Sequence, residues 1–325
     1  MRAPRVAWLR QVVMTAVFAS VTVCVHAQNY PDKPIRVIVP YAAGGFSDQS
    51  SRVIAEALSR ELQQPLVIEN RAGGGGRIGV DAVSKMEPTG YTLLLTTNGT
   101  HTYMAVTEKS LSYDPIKSFT PISVVGSYGL LMVTNPNLPV TTVREFIAYA
   151  KAHPGKLNYA SSGPGSGLHF AGEVFKSMAG IDMTHVPYKG SGPGMMDVLA
   201  GSCDVIFAGE AKPFIDAGKL RLLGTTSAVR DPRYPDSPTI SEAGLQGYDL
   251  TYWVGLFAPA GLPSDIQRRL NAAVKKILTL PDVRKRFAEL GMVPVGSTPE
   301  ALVELIRTET ARLQAVVDNI PGGIQ

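Results

Sequence analysis

Short apolar runs and longer amphipathic stretches alternate along most of this chain. Ile35-Arg36-Val37-Ile38-Val39 has the length and β-branched content of a buried strand, and Pro40 ends it. From Asp48 the spacing changes: Val53, Ile54, Ala57, Leu58 and Leu62 fall on one face of a helix. Leu66 to Asn70 reads as a second strand. A glycine-rich turn, Gly73 to Gly76, leads into a helix over 77–86, and Tyr91 to Thr96 reads as a third strand. Strand–helix units repeated in this way predict a parallel sheet with helices on both faces.

A second set begins near residue 130. Strands are predicted over Leu130–Val133, Leu157–Ala160, Thr184–Val186, Asp204–Phe207 and Leu220–Thr225, with helices over 142–152, 167–179 and 194–200. Leu250 to Phe257 reads as one long strand. Helices follow over 264–279, 281–290 and 298–317, with Ser264, Asp282 and Thr298 as start signals. The expected fold class is α/β, with two lobes and a parallel-rich sheet in each. One lobe takes 28–128 plus 253–325, and the other takes 129–252. The chain then crosses between lobes near Val124–Leu131 and near Tyr252–Ala258, and two crossings make a hinge.

The first residues follow another pattern. Arg2, Arg5 and Arg10 precede an apolar stretch from Val12 to Val25, and Val25-His26-Ala27 puts small residues at the −3 and −1 positions of a cleavage site. This is the layout of a cleaved secretory signal peptide over 1–27. The run falls short of the roughly 20 residues a spanning helix needs. Val21-Thr22-Val23 before Cys24 lacks the small residues of a lipobox, so Cys24 is expected to leave with the signal. Cleavage removes three arginines and no acid. Lys+Arg falls from 31 to 28 against 27 Asp+Glu, and the net charge falls from +4 to +1. The residual charge gives no support for nucleic-acid or membrane-surface binding. Only Cys203 remains, so an intrachain disulfide is excluded and the chain must rely on its apolar core, which its length permits.

Three strand-to-helix turns are the candidate chemistry. They run Pro40-Tyr41-Ala42-Ala43-Gly44-Gly45-Phe46-Ser47-Asp48, Ser161-Ser162-Gly163-Pro164-Gly165-Ser166-Gly167-Leu168-His169, and Val186-Pro187-Tyr188-Lys189-Gly190-Ser191-Gly192-Pro193-Gly194. Each lies at the carboxyl end of a predicted strand, the edge where open parallel sheets bind ligands. Helix starts offer unpaired N–H groups and partial positive charge to an anion. Glycine lets the backbone come close. The first turn belongs to one lobe and the other two to the second. The expected contact set is therefore Tyr41, Gly44, Gly45, Ser47, Ser161, Ser162, Gly163, Ser166, Tyr188 and Gly190. Asp48 reads as a helix-start acid or a ligand contact, Lys189 as a neutralising cation or a solvated rim residue, and His169 as a ligand or loop contact or a satisfied structural histidine. Tyr41, Tyr188 and Trp253 are candidates for flat cleft walls or for core.

Signatures of other chemistry fail on context. Gly74-Gly75-Gly76-Arg77-Ile78-Gly79 matches a dinucleotide fingerprint but follows the second strand, and Thr96-Thr97-Asn98 stands where an acidic ribose ligand is expected. No G-x-S-x-G, P-loop or H-E-x-x-H is present, and His101, His153, His169 and His185 share no metal-like spacing. No cofactor, metal or catalytic residue is expected. Cys203, at a strand start with no base nearby in sequence, reads as inert.

Several segments together resemble the receptors of tripartite tricarboxylate transporters, the Bug family. They are Tyr30-Pro31-Asp32-Lys33-Pro34-Ile35, Pro40-Tyr41 through Asp48, Glu69-Asn70-Arg71-Ala72 with Gly73 to Gly76, His185-Val186-Pro187-Tyr188-Lys189-Gly190, Ala217-Gly218-Lys219-Leu220 and Gly255-Leu256-Phe257-Ala258-Pro259-Ala260-Gly261. The resemblance covers nearly the whole chain after the signal. It implies a two-lobed Venus-flytrap receptor related to type II periplasmic binding proteins, a monomer that hands a small carboxylated solute to membrane permease subunits. The solute class stays open among dicarboxylates, tricarboxylates, amino acids and aromatic acids. The resemblance also implies that backbone amides around Tyr41–Asp48 and Ser161–Gly167 hold one carboxylate, partly through water. One stretch departs from it. Ala208-Gly209-Glu210-Ala211-Lys212-Pro213 replaces the usual aspartate-asparagine-leucine-proline run near the far end of the ligand, so Glu210 or Lys212 meets a distal group or faces solvent. The rival readings are a sensor for a signalling partner and an exported hydrolase using His169 with a loop serine.

Overall fold

The computed structural model describes residues 30–108 and 110–318; the expected signal peptide and Cys24 lie outside them. The first sheet is ordered β11-β4-β10-β3-β1-β2 and the second β7-β6-β8-β5-β9. In the first, β1 (Ile35–Val39) lies between β2 (Leu66–Asn70) and β3 (Thr92–Thr97), all parallel. Beyond β3 come β10 (Thr251–Pro259), β4 (Phe119–Gly129) and β11 (Met292–Pro294), each antiparallel to its neighbour. In the second, β7 (Met183–Pro187), β6 (Leu157–Ser161) and β8 (Val205–Ala208) are parallel, while β5 (Leu131–Thr134) runs against both β8 and β9 (Arg221–Thr225). The sheets are thus mixed: the parallel expectation holds for one three-strand set in each. β4 feeds β5 directly and β10 returns from the other lobe, so neither arrives through the helical crossover that imposes parallel pairing.

Alternation sorts the strand side chains into layers. Val37, Val39, Leu93 and Leu95 join the large central core, while Ile38 and Leu94 face a second cluster with Val80, Trp253, Phe257, Leu302 and Ile306. Helices cover these faces: α1 (Phe46–Leu62), α2 (Arg77–Ser84), α3 (Met104–Thr107), α4 (Val143–Ala152), α5 (Gly167–Ala179), α6 (Ser191–Ala200), α7 (Lys212–Asp216), α8 (Ser264–Ile277), α9 (Pro281–Leu290) and α10 (Pro299–Asp318). Thr142 and Thr298 cap α4 and α10 by accepting from Glu145 N and Ala301 N. Ser264 and Asp282 lie inside their helices instead, and Asp282 pairs with Arg60 on α1 at 2.6 Å. Helix α6 begins at Ser191 rather than 194, because Pro193 sits in the first turn, where a missing N–H is no loss. Helices α8 and α9 dock on α1, with Leu270, Val274, Ile277 and Phe287 buried in the same core; exposed pairs such as Arg286–Glu56 add little.

A single residue, Leu130, separates β4 from β5, so the first crossing takes one step. The second falls at Leu250, just ahead of the expected span, because β10 starts at Thr251 and Thr251 pairs with Gly129. The crossings therefore run side by side. Buried Thr226 stitches them: its N–H donates to Leu130 O (2.9 Å), it accepts from Leu130 N at Oγ1 (2.9 Å), and its hydroxyl donates to Leu250 O (2.8 Å).

Candidate functional site: a cavity between two sheets

The carboxyl ends of β1, β3, β6, β7 and β8 meet around one cavity. Its lining includes Tyr41, Ala42, Gly45, Phe46 and Ser47 after β1, Thr97 at the end of β3, and Ser162, Ser166, Gly167 and Leu168 after β6. Ser191 after β7, Gly209 and Glu210 after β8, and Tyr128, Leu130 and Tyr252 from the crossing strands complete it. The room a water molecule can occupy inside it is only about 20 Å³, so the lobes stand nearly shut on it. Three helix starts, those of α1, α5 and α6, border it. First-turn N–H groups have no carbonyl four residues back, so each start offers donors and a partial positive charge.

The first turn is braced from below. Asp48 Oδ2 accepts from Gly44 N and from Arg52 Nε, both at 2.9 Å, and Oδ1 accepts from Asn70 Nδ2 at 3.0 Å. Asn70 Nδ2 also donates to Tyr41 O at 3.0 Å. Burial by itself would raise the Asp48 pKa, but the hydrogen bonds from Arg52, Gly44 and Asn70 win and hold it below the usual carboxylate range. Asp48 thus fixes the turn and does not line the cavity. Tyr41 does line it. Its hydroxyl is 3.1 Å from Thr97 Oγ1, and burial pushes its pKa up to about 12.

The second turn rests on a different support. Ser166 caps α5 by accepting from His169 N (3.3 Å), and Gly163 and Gly165 adopt positive φ of 102° and 73°. Ser161 accepts from Gly163 N (3.0 Å) and its Oγ lies 2.6 Å from His185 Nε2. His169 Nδ1 accepts from Gly165 N (3.2 Å), and its ring stacks on His185 with centroids 4.2 Å apart. Burial, then the neighbouring His169, lowers the His185 pKa to about 4; burial lowers that of His169 too. Both rings are therefore neutral props for the loop near pH 7. Ser161 and His169 sit behind the cavity wall; Ser162 and Ser166 are on it.

The lobes touch where a glycine on one side lets the other come close. A Cβ on Gly75 would sit 2.1 Å from Pro164 O, and one on Gly209 would sit 2.5 Å from the Phe46 ring. Ala42 N donates across the gap to Lys189 O at 3.3 Å. The Gly74–Gly76 run that mimics a dinucleotide fingerprint is in fact a 3₁₀ turn pressed against the opposite lobe's Gly163–Ser166 loop.

Other expected residues lie elsewhere. Gly44 lines a wider outer groove, and Gly163, Tyr188 and Lys189 line a third depression. Gly190 precedes α6 against Ala42. The Lys189 side chain is exposed, and Tyr188 donates to Asp197 Oδ2. Trp253 is not a cleft wall: it is buried against α10 and donates from Nε1 to Glu309 Oε2 at 2.8 Å. Cys203 is buried, with its thiol pushed up to about 12, which leaves it unreactive. Among the described residues no three His, Cys, Asp or Glu side chains form a metal cluster, and no helix is long and apolar enough to cross a membrane. Tyr128, Leu130, Ser191 and Tyr252 join the site without having been singled out from the sequence. For Ser191 a signal exists, since it opens a helix in the third glycine turn. The others emerge only from the crossing geometry.

Comparison with known proteins adds an independent line. A sequence profile described as "Tripartite tricarboxylate transporter family receptor" matches residues 50–321. "Protein BugT" of Bordetella pertussis is 35% identical over 302 residues, covering 92% of this chain and 93% of BugT. A solved structure of "R. palustris Rpa4515 with adipate" superposes with a TM-score of 0.86 at 35% identity, covering 89% of this chain and 98% of that one. "MatC (Rpa3494) from Rhodopseudomonas palustris with bound malate" gives 0.85 at 34% identity, covering 88% and 99%.

Proposed function

We propose that this chain, which belongs to the tripartite tricarboxylate transporter receptor family, captures a small carboxylated solute between its lobes and presents it to a membrane permease. It is a periplasmic binding protein by family and fold, and its neighbours' adipate and malate support a carboxylate as guest. The observation that carries the reading is the convergence of three helix starts, from both lobes, on one cavity. Export by cleavage after residue 27 belongs to the same proposal, as does a two-lobe division, drawn at the crossings Leu130 and Leu250 rather than at 128/129 and 252/253. So does the contact set of Tyr41, Gly45, Ser47, Ser162 and Ser166, with the remaining turn residues holding these in place.

Closure follows from linkage: a guest that bridges the lobes favours the closed form only by binding it better than the open one. The permease then reads the closed shape. Catalysis has little to stand on. Ser161 and His185 form a pair at 2.6 Å, but Ser161 has no exposure to solvent and lies outside the cavity lining, so a substrate cannot reach its hydroxyl. A thermal-shift screen against organic acids, followed by calorimetry, tests the reading. A guest that prefers the native state raises Tm and shows saturable heat. No saturable binding by any acid would overturn it, and release of a chemically altered acid would favour the hydrolase.

A further inference from the structure

One lining residue of the cavity is charged, and it is an acid: Glu210. It is 8% exposed, and neither Oε1 nor Oε2 has a hydrogen-bond partner. Ser191 Oγ and the N–H groups of Phe46 and Glu210 pull its pKa down without reaching hydrogen-bond geometry, and burial outweighs them, so the net shift is upward. The cation that acts on it, Arg233, is already engaged. Its Nη2 and Nε donate to Asp231 at 2.6 and 2.9 Å, and its Nη1 to Gly209 O at 3.0 Å. A buried carboxylate left in this state is costly unless something else arrives to meet it.

We infer that the cavity is built for a carboxylate that also carries an ammonium group, with the helix starts holding the carboxylate and Glu210 receiving the ammonium. This rests on the carboxylate reading above and narrows it. Each helix start contributes about half a positive charge, so three give roughly +1.5. A dianion brings two negative charges beside an acid that burial already penalises, whereas a zwitterion adds no net charge. The ammonium also supplies three donors to two orphaned oxygens. The guest class therefore differs from the adipate and malate of the two neighbours.

Calorimetry at pH 7 on the purified full chain after signal removal decides it. The probes are α- and ω-amino acids of three to six carbons and the diacids, hydroxy acids and plain monoacids of the same lengths. The expected result is that one amino acid binds at least tenfold tighter than every other class, and that Glu210→Gln removes at least tenfold of its affinity while leaving the diacids equal or tighter. A diacid, hydroxy acid or monoacid binding as tightly as the best amino acid overturns the inference and leaves the carboxylate reading intact. So does an unchanged ranking in Glu210→Gln. Binding by none of these acids would overturn both. Should Glu210→Gln fail to fold by circular dichroism, the wild-type ranking alone decides between the guest classes.

Discussion

Two buried glutamates divide the molecule. Glu309, on α10 behind the first sheet, is 7% exposed and accepts from Asn98 Nδ2 (3.0 Å) and Trp253 Nε1 (2.8 Å). Glu210, on the cavity wall, is buried to the same degree and accepts from nothing. Burial raises the pKa of both. The difference lies in partners. One acid closes a hydrogen-bond network that ties a helix to a sheet; the other is an unmet acceptor on the wall of the cavity between the lobes. Among the described residues Asp81, Asn98, His101 and Thr134 also keep an unpartnered buried polar atom, but only the oxygens of Glu210 do so on the cavity wall.

Deleting each acid should separate the two roles most widely. Glu309→Ala strands the Trp253 N–H and takes one of three acceptors from the Asn98 amide, and should cost about 2 kcal/mol in urea denaturation. Glu210→Gln should leave stability unchanged or raise it by about 1 kcal/mol, since it removes a buried unpaired charge. Equal losses would erase the distinction. Gly75→Ala tests whether the cavity side works through closure. Its φ of +64° and the 2.1 Å approach of its Cβ to Pro164 O oppose the closed contact. Ligand affinity should fall at least tenfold, with a more open form in small-angle scattering, while the ligand-free protein loses only about 1 kcal/mol. Unaltered affinity would show that this contact does not matter for capture.

Acidity gives a finer separation. His185 titrates near 4 in the folded chain against 6.5 for the free side chain, so the unfolded chain binds the extra proton between those values. Its contribution is present above about 6.5 and is lost as pH falls toward 4. The wild type should lose stability across that window more steeply than a His185→Asn variant, and coincident curves would remove His185 as a support of the Ser161 loop. The smallest effect is expected at the surface. Arg60→Ala breaks the exposed pair with Asp282 and should leave Tm unchanged within error, far from either acid.

Much of the frame is legible from periodicity. Ile35–Val39 and Leu66–Asn70 are strands at the bounds their apolar runs define, and α5 spans 167–179 as its spacing predicts. What is not legible depends on partners distant in sequence. β4 escapes a reading of local pattern, and with it Tyr128 at the cavity. Its 11 residues take their meaning from pairing with β10, well over a hundred positions later. The glycine turns point to a cavity at helix starts. They do not say that the Ser161 hydroxyl is engaged by His185 and Gly163, or that Asp48 is taken up by Asn70 and Arg52. Glu210 stands out as a departure in a loop, but whether it meets solvent or a cavity is decided only by the fold. An acid's state is set by what surrounds it, and local spacing carries no record of that.

The one-residue step at Leu130 has a mechanical consequence. With Thr226 clamping both crossings side by side, any opening of the lobes would turn about a single line, like a book about its spine. Leu130 belongs both to that line and to the cavity wall, so a guest held as proposed would press close to the axle. A molecule one methylene too long wedges the covers apart near the spine, and the gap widens toward their outer edges. Any partner that grips the rims then measures the length of something it never touches.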